Sequence, residues 1–266
     1  MPRWDEAIDP ADPALEHGVA LMYSGGCDST LAAARLAERF PKVKLVTYLR
    51  LGFLHSDHPD VHFERMQRRF PQSEITLHKL PYGKMYEEIE GHKKLRSLLK
   101  HGTMTSVPCG HCKLAMHWRT ALFCIEHGIR FAADGAVHGN EQFAEQNENI
   151  LIPELVDFYA QFGITLVHPV FEYGLDTEAE LFRLGITDSP QVKRTTKDKQ
   201  VICTQHILLG MFMRRYMNNH TFEEYEAETK TYLSGKLDHA RELTEEWVAS
   251  EGKGGRLARL LERSAE

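Results

Sequence analysis

Short apolar runs alternate along the chain with stretches in which apolar residues return every three or four positions, the signature of buried strands separated by amphipathic helices. His17–Tyr23 predicts a first strand, and Ser29–Phe40 a first helix ended by Pro41. Val43–Leu49 reads as a second, buried strand, Asp60–Phe70 as a helix with Pro71 behind it, and Glu74–His78 as a third strand. Met85–Lys100 has a helical period and so many charges that it reads mostly as a solvated face. A helix over Leu114–His127, ended by Gly128, a strand over Ile129–Ala133, a helix over Pro153–Phe162 and a strand over Ile164–Val167 continue the alternation. Thr177–Leu184 begins as a helix with Thr177 as cap and Glu180 at the capping-box position. Beyond Pro190 the pattern is helical to the end, interrupted at Gly252–Gly255.

Strands that alternate with helices specify an α/β fold: a five-stranded parallel sheet flanked by helices, with right-handed crossovers. With 266 residues the chain is long for one simple domain and short for two. The expected division is an acidic, proline-marked arm over 1–16, an α/β domain over 17–190, and a helical region over 191–266 that contributes Cys203.

Between the first strand and first helix lies Tyr23-Ser24-Gly25-Gly26-Cys27-Asp28-Ser29-Thr30. Adjacent glycines let the backbone turn sharply and bring N–H groups close to an anion. Ser29 and Thr30 fall where a helix begins, so free N–H groups and the positive end of the dipole converge on one spot, with Ser24, Ser29 and Thr30 as hydroxyl donors. A Walker loop is excluded because no Gly-Lys-Ser/Thr follows, and the dinucleotide fingerprint because its third glycine is missing. The competing structural reading is an ordinary strand–helix turn.

A net charge of −6 argues against broad non-specific binding of nucleic acid and leaves room for a local basic patch. The chain has no run long enough to span a bilayer and no signal peptide, so a soluble cytoplasmic protein is expected. In that compartment five cysteines point to metal or redox chemistry more than to disulfides. Ligands of an open parallel sheet sit outside the carboxyl ends of its strands. The glycine loop, Tyr48-Leu49-Arg50 with backbone groups for adenine, Asp134-Gly135, and the helix start near Cys109 and Cys112 all fall on that edge.

Cys109-x-x-Cys112 has metal-ligand or redox spacing, and a helix N-terminus favours thiolates. Cys203 is a third candidate, while Cys124 reads as a buried, inert thiol. Three thiolates can hold a four-iron cluster with one iron open; a tetrahedral Zn²⁺ site needs a fourth ligand, for which His111 and His206 are candidates; a persulfide relay is the third use. Lys113 is placed to stabilise a bound anion. Lys193–Lys199 reads as a solvated loop or as an anion-holding loop.

The glycine loop resembles the Ser-Gly-Gly-x-Asp-Ser signature of the PP-loop ATP pyrophosphatase superfamily, matching at Ser24, Gly25, Gly26, Asp28, Ser29 and Thr30. Pro108-Cys109-x-x-Cys112-Lys113, a helix, and Gly128 to Asp134-Gly135 make the chain similar to the sulfur-transferring branch, the LarE-type sulfur transferases and the cluster-dependent tRNA thiolases of the TtcA and TtuA kind. The resemblance covers about residues 17–205. It implies ATP and Mg²⁺ on the loop, a 4Fe-4S cluster on Cys109, Cys112 and Cys203, and adenylation followed by sulfur transfer to a tRNA base or small molecule. Asp28, Asp134, Lys113 and Glu141 are the implied catalytic residues. Partners would be that substrate and a sulfur donor, with a homodimer allowed. Where these families show Asn-x-Asp-Asp after the fourth strand, this chain has His138-Gly139-Asn140-Glu141-Gln142, with Glu141 in the place of a carboxylate. The alternatives are an ATP-dependent amide- or nitrile-forming ligase with structural zinc, and a non-catalytic ATP-binding regulator.

Overall fold

The computed structural model describes residues 4–49, 53–54, 59–102, 108–141, 143–173, 176–190, 202–203, 213–252 and 254–265. Its strands are β1 (Val19–Met22), β2 (Lys42–Leu49), β3 (Phe53–Leu54), β4 (Glu74–Pro81), β5 (Phe131–Ala133), β6 (Thr165–Val167) and β7 (Ile202–Cys203). Five of them form one sheet in the order β4-β2-β1-β5-β6, every pair parallel. This is the five-stranded α/β architecture that the alternation predicts. Val19 of β1 lies opposite Val43 of β2 on one side and Phe131 of β5 on the other. The winding therefore reverses at β1, and the crevice of such a sheet opens beyond the carboxyl ends of β1 and β5.

Side chains of β1 alternate between two apolar cores, as period-two geometry requires. Val19, Leu21 and Tyr23 join Leu31 and Leu36 of α1 (Cys27–Ala37), Met66 of α2 (Pro59–Arg69) and a later Leu181. Ala20 and Met22 face the other core. That side is built from α3 (Gly83–Gly91), which is followed by α4 (Lys94–His101), and from α5 (Pro108–Glu126) and α6 (Ile152–Gln161). Leu181 belongs to α7 (Thr177–Arg183), and the chain ends in α8 (Phe222–Ala249) and α9 (Gly255–Ala265). The acidic arm packs on the first core through Ile8 and Ala14.

The long charged helix expected over Met85–Lys100 is two helices. Lys93 adopts φ 49°, a left-handed conformation that ends one helix and starts the next. The first of the pair is not a solvated face: Met85, Tyr86 and Ile89 are buried in the second core. Nor is the region after Pro190 helical throughout. β7 pairs antiparallel with β3, Cys203 opposite Phe53. The expected basic loop Lys193–Lys199 and His206 lie outside the described residues.

α8 starts from a capping box, in which Thr221 Oγ1 accepts from the Glu224 N–H and the Glu224 carboxylate accepts from the Thr221 N–H. Its Tyr225, Leu233, Leu237 and Ala240 are buried in the same core as Trp118 and Leu122 of α5. Trp118 Nε1 donates to Thr244 Oγ1 at 2.8 Å, and Arg256 and His239 both donate to the buried Glu88 carboxylate. No helix among the described residues is long and apolar enough to cross a membrane.

The C-terminal helices are thus part of the domain's own core. Leu233→Ala is expected to destabilise the whole protein by about 2–5 kcal/mol. Urea titrations read by tryptophan fluorescence and by far-ultraviolet circular dichroism should shift together in one transition; two separated transitions would show an independent C-terminal unit.

Candidate functional site

β1 delivers the chain into the glycine loop at the carboxyl edge of the sheet. Gly25 has φ +76°, and a Cβ there would lie 2.8 Å from the Pro59 Cα, so the turn needs glycine both for its conformation and for its fit against α2. Gly26 caps α1 with no side-chain bond. The N–H groups of Cys27, Asp28 and Ser29 follow in the first turn, where a helix has no acceptors of its own.

The loop is braced from inside. Ser29 Oγ donates to the Gly26 carbonyl at 3.1 Å and lies 3.2 Å from Ser24 Oγ, which accepts from the Gly26 N–H. His62 Nδ1 of α2 donates to the Gly25 carbonyl at 2.8 Å. Thr30, a predicted hydroxyl donor to an anion, is fully buried, 3.4 Å from Tyr23 Oη and 3.5 Å from His62 Nδ1, so its hydroxyl sits under the loop. Asp28 Oδ1 accepts from Thr177 Oγ1 at 2.6 Å. Thr177, expected as a helix cap, instead fixes this carboxylate; Asp176 holds the cap position and makes no side-chain bond there.

β5 ends beside the loop. A Cβ on Gly135 would lie 2.9 Å from the Ser29 amide nitrogen, so the Asp134-Gly135 turn rests directly against the first turn of α1. Asp134 is buried and accepts from the Ala136 N–H at 3.0 Å and from His168 Nδ1 at 2.8 Å. His117 Nε2 of α5 is 3.8 Å from its other oxygen. Burial opposes the carboxylate charge, but the charge and hydrogen bond of His168, with His117 and the Ala136 N–H, hold its pKa down at about 2. Burial likewise opposes an imidazolium at His168, and the facing carboxylate overcomes it and raises the pKa. His117, where burial dominates, is pushed down to about 4 and is neutral.

His168 Nδ1 is committed to Asp134, while its Nε2, on the far side of the ring, is buried and meets no hydrogen-bond partner among the described residues. A buried polar atom without a partner is costly. It is the kind of group that an anionic or carbonyl oxygen satisfies. The sequence reading misses His168 and His117. The available signal is the position of His168 directly past the apolar Ile164–Val167 run, the place Asp134 takes after its own strand.

Other predicted groups are placed as follows. Tyr48, at the end of β2, is buried; its hydroxyl pairs with Thr120 and its ring meets Tyr82 edge-on. Leu49 after it is exposed. α5 starts at Pro108, earlier than expected, so Cys109 and Cys112 lie within its first turn, on one side at i, i+3 spacing. Cys112 Sγ lies 3.0 Å from the hydroxyl of Tyr82, the residue just past β4, which puts it on the predicted edge. His111, a candidate zinc ligand, is buried with Nε2 2.5 Å from Tyr232 Oη. Lys113 follows on the same helix and is half-buried. Cys124 is fully buried, and burial raises its thiol pKa. Cys203 is tied through Phe53 to the segment leaving β2, four residues past Leu49. Glu141 is half-buried, accepting from the Gly139 N–H at 3.0 Å with His138 3.5 Å away. Its loop is pinned by Asn147, which donates to the Glu141 carbonyl and to Glu226 of α8.

No family model and no curated protein matches the chain. Among solved structures, it is similar to a predicted subunit of tRNA methyltransferase from Methanocaldococcus jannaschii, at 16% identity and a TM-score of 0.40 over 70% of this chain and 96% of that one. It is also similar to the U34-tRNA thiolase NcsA from Methanococcus maripaludis, solved with its [4Fe-4S] cluster, at 16% identity and a TM-score of 0.41 over 86% of this chain and 75% of that one.

Asp134→Asn leaves His168 buried without its counter-charge. Its pKa should then fall below the ordinary histidine value of about 6.5, read from the imidazole resonances in an NMR pH titration. The depressed Asp134 pKa contributes stability that is present above the unfolded value of about 4 and lost as pH falls toward 2. The raised His168 pKa contributes stability present below about 6.5 and lost as pH rises through the folded value. Unfolding of the variant should lack both slopes.

Proposed function

We propose that the chain is an ATP-dependent sulfur transferase of the PP-loop type. The observation that carries the reading is the helix start at Gly26–Ser29, free of any side-chain cap and closed over by Gly135. That backbone suits the pyrophosphate portion of a nucleotide, which helix N–H groups and the dipole hold without a lysine. The backbone leaving β2 at Tyr48 and Leu49 lies beside this crevice and suits adenine.

In the reaction, an acceptor oxygen attacks the α-phosphorus of ATP and the bond to pyrophosphate breaks. The carbon bearing the new adenylate is electrophilic. Sulfide adds there, the carbon–oxygen bond breaks, and AMP leaves; a persulfide donor would add through its outer sulfur, and a second cysteine thiol would then have to break the sulfur–sulfur bond, ending as a disulfide. The loop positions the phosphates and offsets their charge. His168, with Nδ1 fixed by Asp134, would donate from Nε2 in its protonated form to an oxygen that gains charge, and Lys113 steadies the anionic sulfur or acceptor. Mg²⁺ entering with the nucleotide would meet Asp28 and supply further charge neutralisation.

Two cysteines share one side of a helix start, a pair that suits a soft metal, although among the described residues no three side chains are gathered so that they could hold a metal ion. Cys109, Cys112 and Cys203 would hold a 4Fe-4S cluster, which supplies an iron without a protein ligand as a place for sulfide. Zinc is the less favoured occupant, because His111, one of the two candidate fourth ligands, is engaged by Tyr232.

Two measurements test this. Incubation with ATP and acceptor should yield AMP and pyrophosphate; ADP and phosphate would refute the assignment. Gly25→Ala, strained at positive φ by about 1–2 kcal/mol and pressed on Pro59, should weaken ATP binding tenfold or more, an effect of about 1.4 kcal/mol, in a calorimetric titration. Separately, anaerobic purification should give a brown protein with iron and sulfide. Cys109→Ala, Cys112→Ala or Cys203→Ala should each lose the iron while ATP binding survives, and Cys124→Ala should change neither.

A further inference from the structure

On the far side of α5's first turn, α4 and α8 enclose a cleft of about 250 Å³. Its walls carry Lys93, Arg96 and Lys100 from α4 and its N-terminal turn, and Lys236, Tyr232 and Thr231 from α8. His92 and His101 complete the lining, and among the described residues no carboxylate belongs to it. This is unusual in a chain whose acidic residues outnumber basic ones, 38 to 32. Among the described residues Lys93, Arg96 and Lys100 have no carboxylate within ion-pair distance, whereas the neighbouring Lys94 pairs with Glu90 at 2.7 Å.

The cleft also has room made for it. Gly235 lies inside a 28-residue helix, where glycine costs about 1 kcal/mol relative to alanine. A Cβ there would meet nothing within 4 Å, so close packing does not explain the glycine; the missing side chain leaves the cleft open. Lys236 is fixed on one wall by its bonds to the carbonyls of His92, at 2.5 Å, and Glu90, at 3.3 Å, with its ammonium over the Tyr232 ring. Burial lowers the Lys236 pKa to about 8, with Glu90 opposing and Lys94 and Lys93 adding to it.

We propose that this cleft binds a phosphate group of the acceptor substrate, as a second anion site apart from the glycine loop. Calling the ligand the acceptor rests on the sulfur-transfer reading; the anion site itself does not. Tyr232 links the two regions, since it lines the cleft and its hydroxyl meets His111, which lies between Cys109 and Cys112 in sequence. Gly110 packs so closely on Leu233 that a Cβ would lie 2.9 Å from it. The cleft is therefore packed, through α8, against the start of the helix that carries the cysteine pair. The phosphate can be a small phosphomonoester or one unit of a nucleic-acid backbone, and these sources differ in salt dependence.

The test titrates the full chain with inorganic phosphate, ribose 5-phosphate and a short single-stranded RNA, at two salt concentrations. Binding is followed by NMR shifts of the His101 ring and by calorimetry. Arg96→Glu with Lys100→Glu should weaken binding about tenfold or more, the value of one charge-assisted bond. Gly235→Leu, which fills the cleft without changing charge, should do the same. ATP binding at the loop should be unchanged in both. RNA favoured, with a salt slope about one unit steeper than in the charge variant, assigns the backbone; equal or better binding of ribose 5-phosphate assigns the monoester. Undiminished binding in both variants, or no binding of any probe, overturns the site. Phosphate binding that persists in a protein making no AMP and pyrophosphate would reject the reaction and leave the cleft standing.

Discussion

A parallel strand covered on both faces has no place for a polar side chain except past its end. Strands pointing the same way therefore gather polar groups on one edge, although β2 and β4 also carry polar side chains along their length. Ser24 follows β1 by two residues, Tyr82 follows β4, Asp134 follows β5 and His168 follows β6. The helices that return from that edge begin there too, so their unsatisfied N–H groups join the same region. The site is the residue of a sorting process in which the apolar sheet excludes every charge it can.

Within it, charge is balanced locally. The Asp134 carboxylate is stable in a buried position because His168 faces it, and the same carboxylate raises the His168 pKa against the effect of burial. Other buried histidines have structural duties: His62 ties α2 to the loop, His111 meets Tyr232, and His239 binds Glu88. Among the described residues, His168 alone of the histidines leaves a buried ring nitrogen unpartnered. That separates a group with an open valence from groups whose role is complete in the folded chain.

The sheet was legible from the alternation of short apolar runs with helical periods, because strands buried on both faces can hardly be written otherwise. So was the glycine loop, since only a glycine tolerates the backbone of residue 25. What stayed hidden depends on contacts distant in sequence. The break at Lys93 is invisible to a period count, and the burial of Met85, Tyr86 and Ile89 was masked by the charges around them. Thr177 reads as a helix cap until its hydroxyl is found on Asp28, 149 residues away. His168 matters only because β6 lies beside β5, a neighbour relation that no local window contains.

The C-terminal helices have a consequence for how the protein is made. Trp118 bonds across 126 residues to Thr244, and Glu88 across 168 to Arg256. On the ribosome, the apolar faces of α3, α5 and α6 emerge long before α8 exists to cover them. Domains fold as units once their segments are available, and contacts of long sequence separation make that step slow. The nascent chain must therefore carry an uncovered hydrophobic surface for most of its synthesis. Its yield in a cell is set by how well that surface is shielded until the last helices are released.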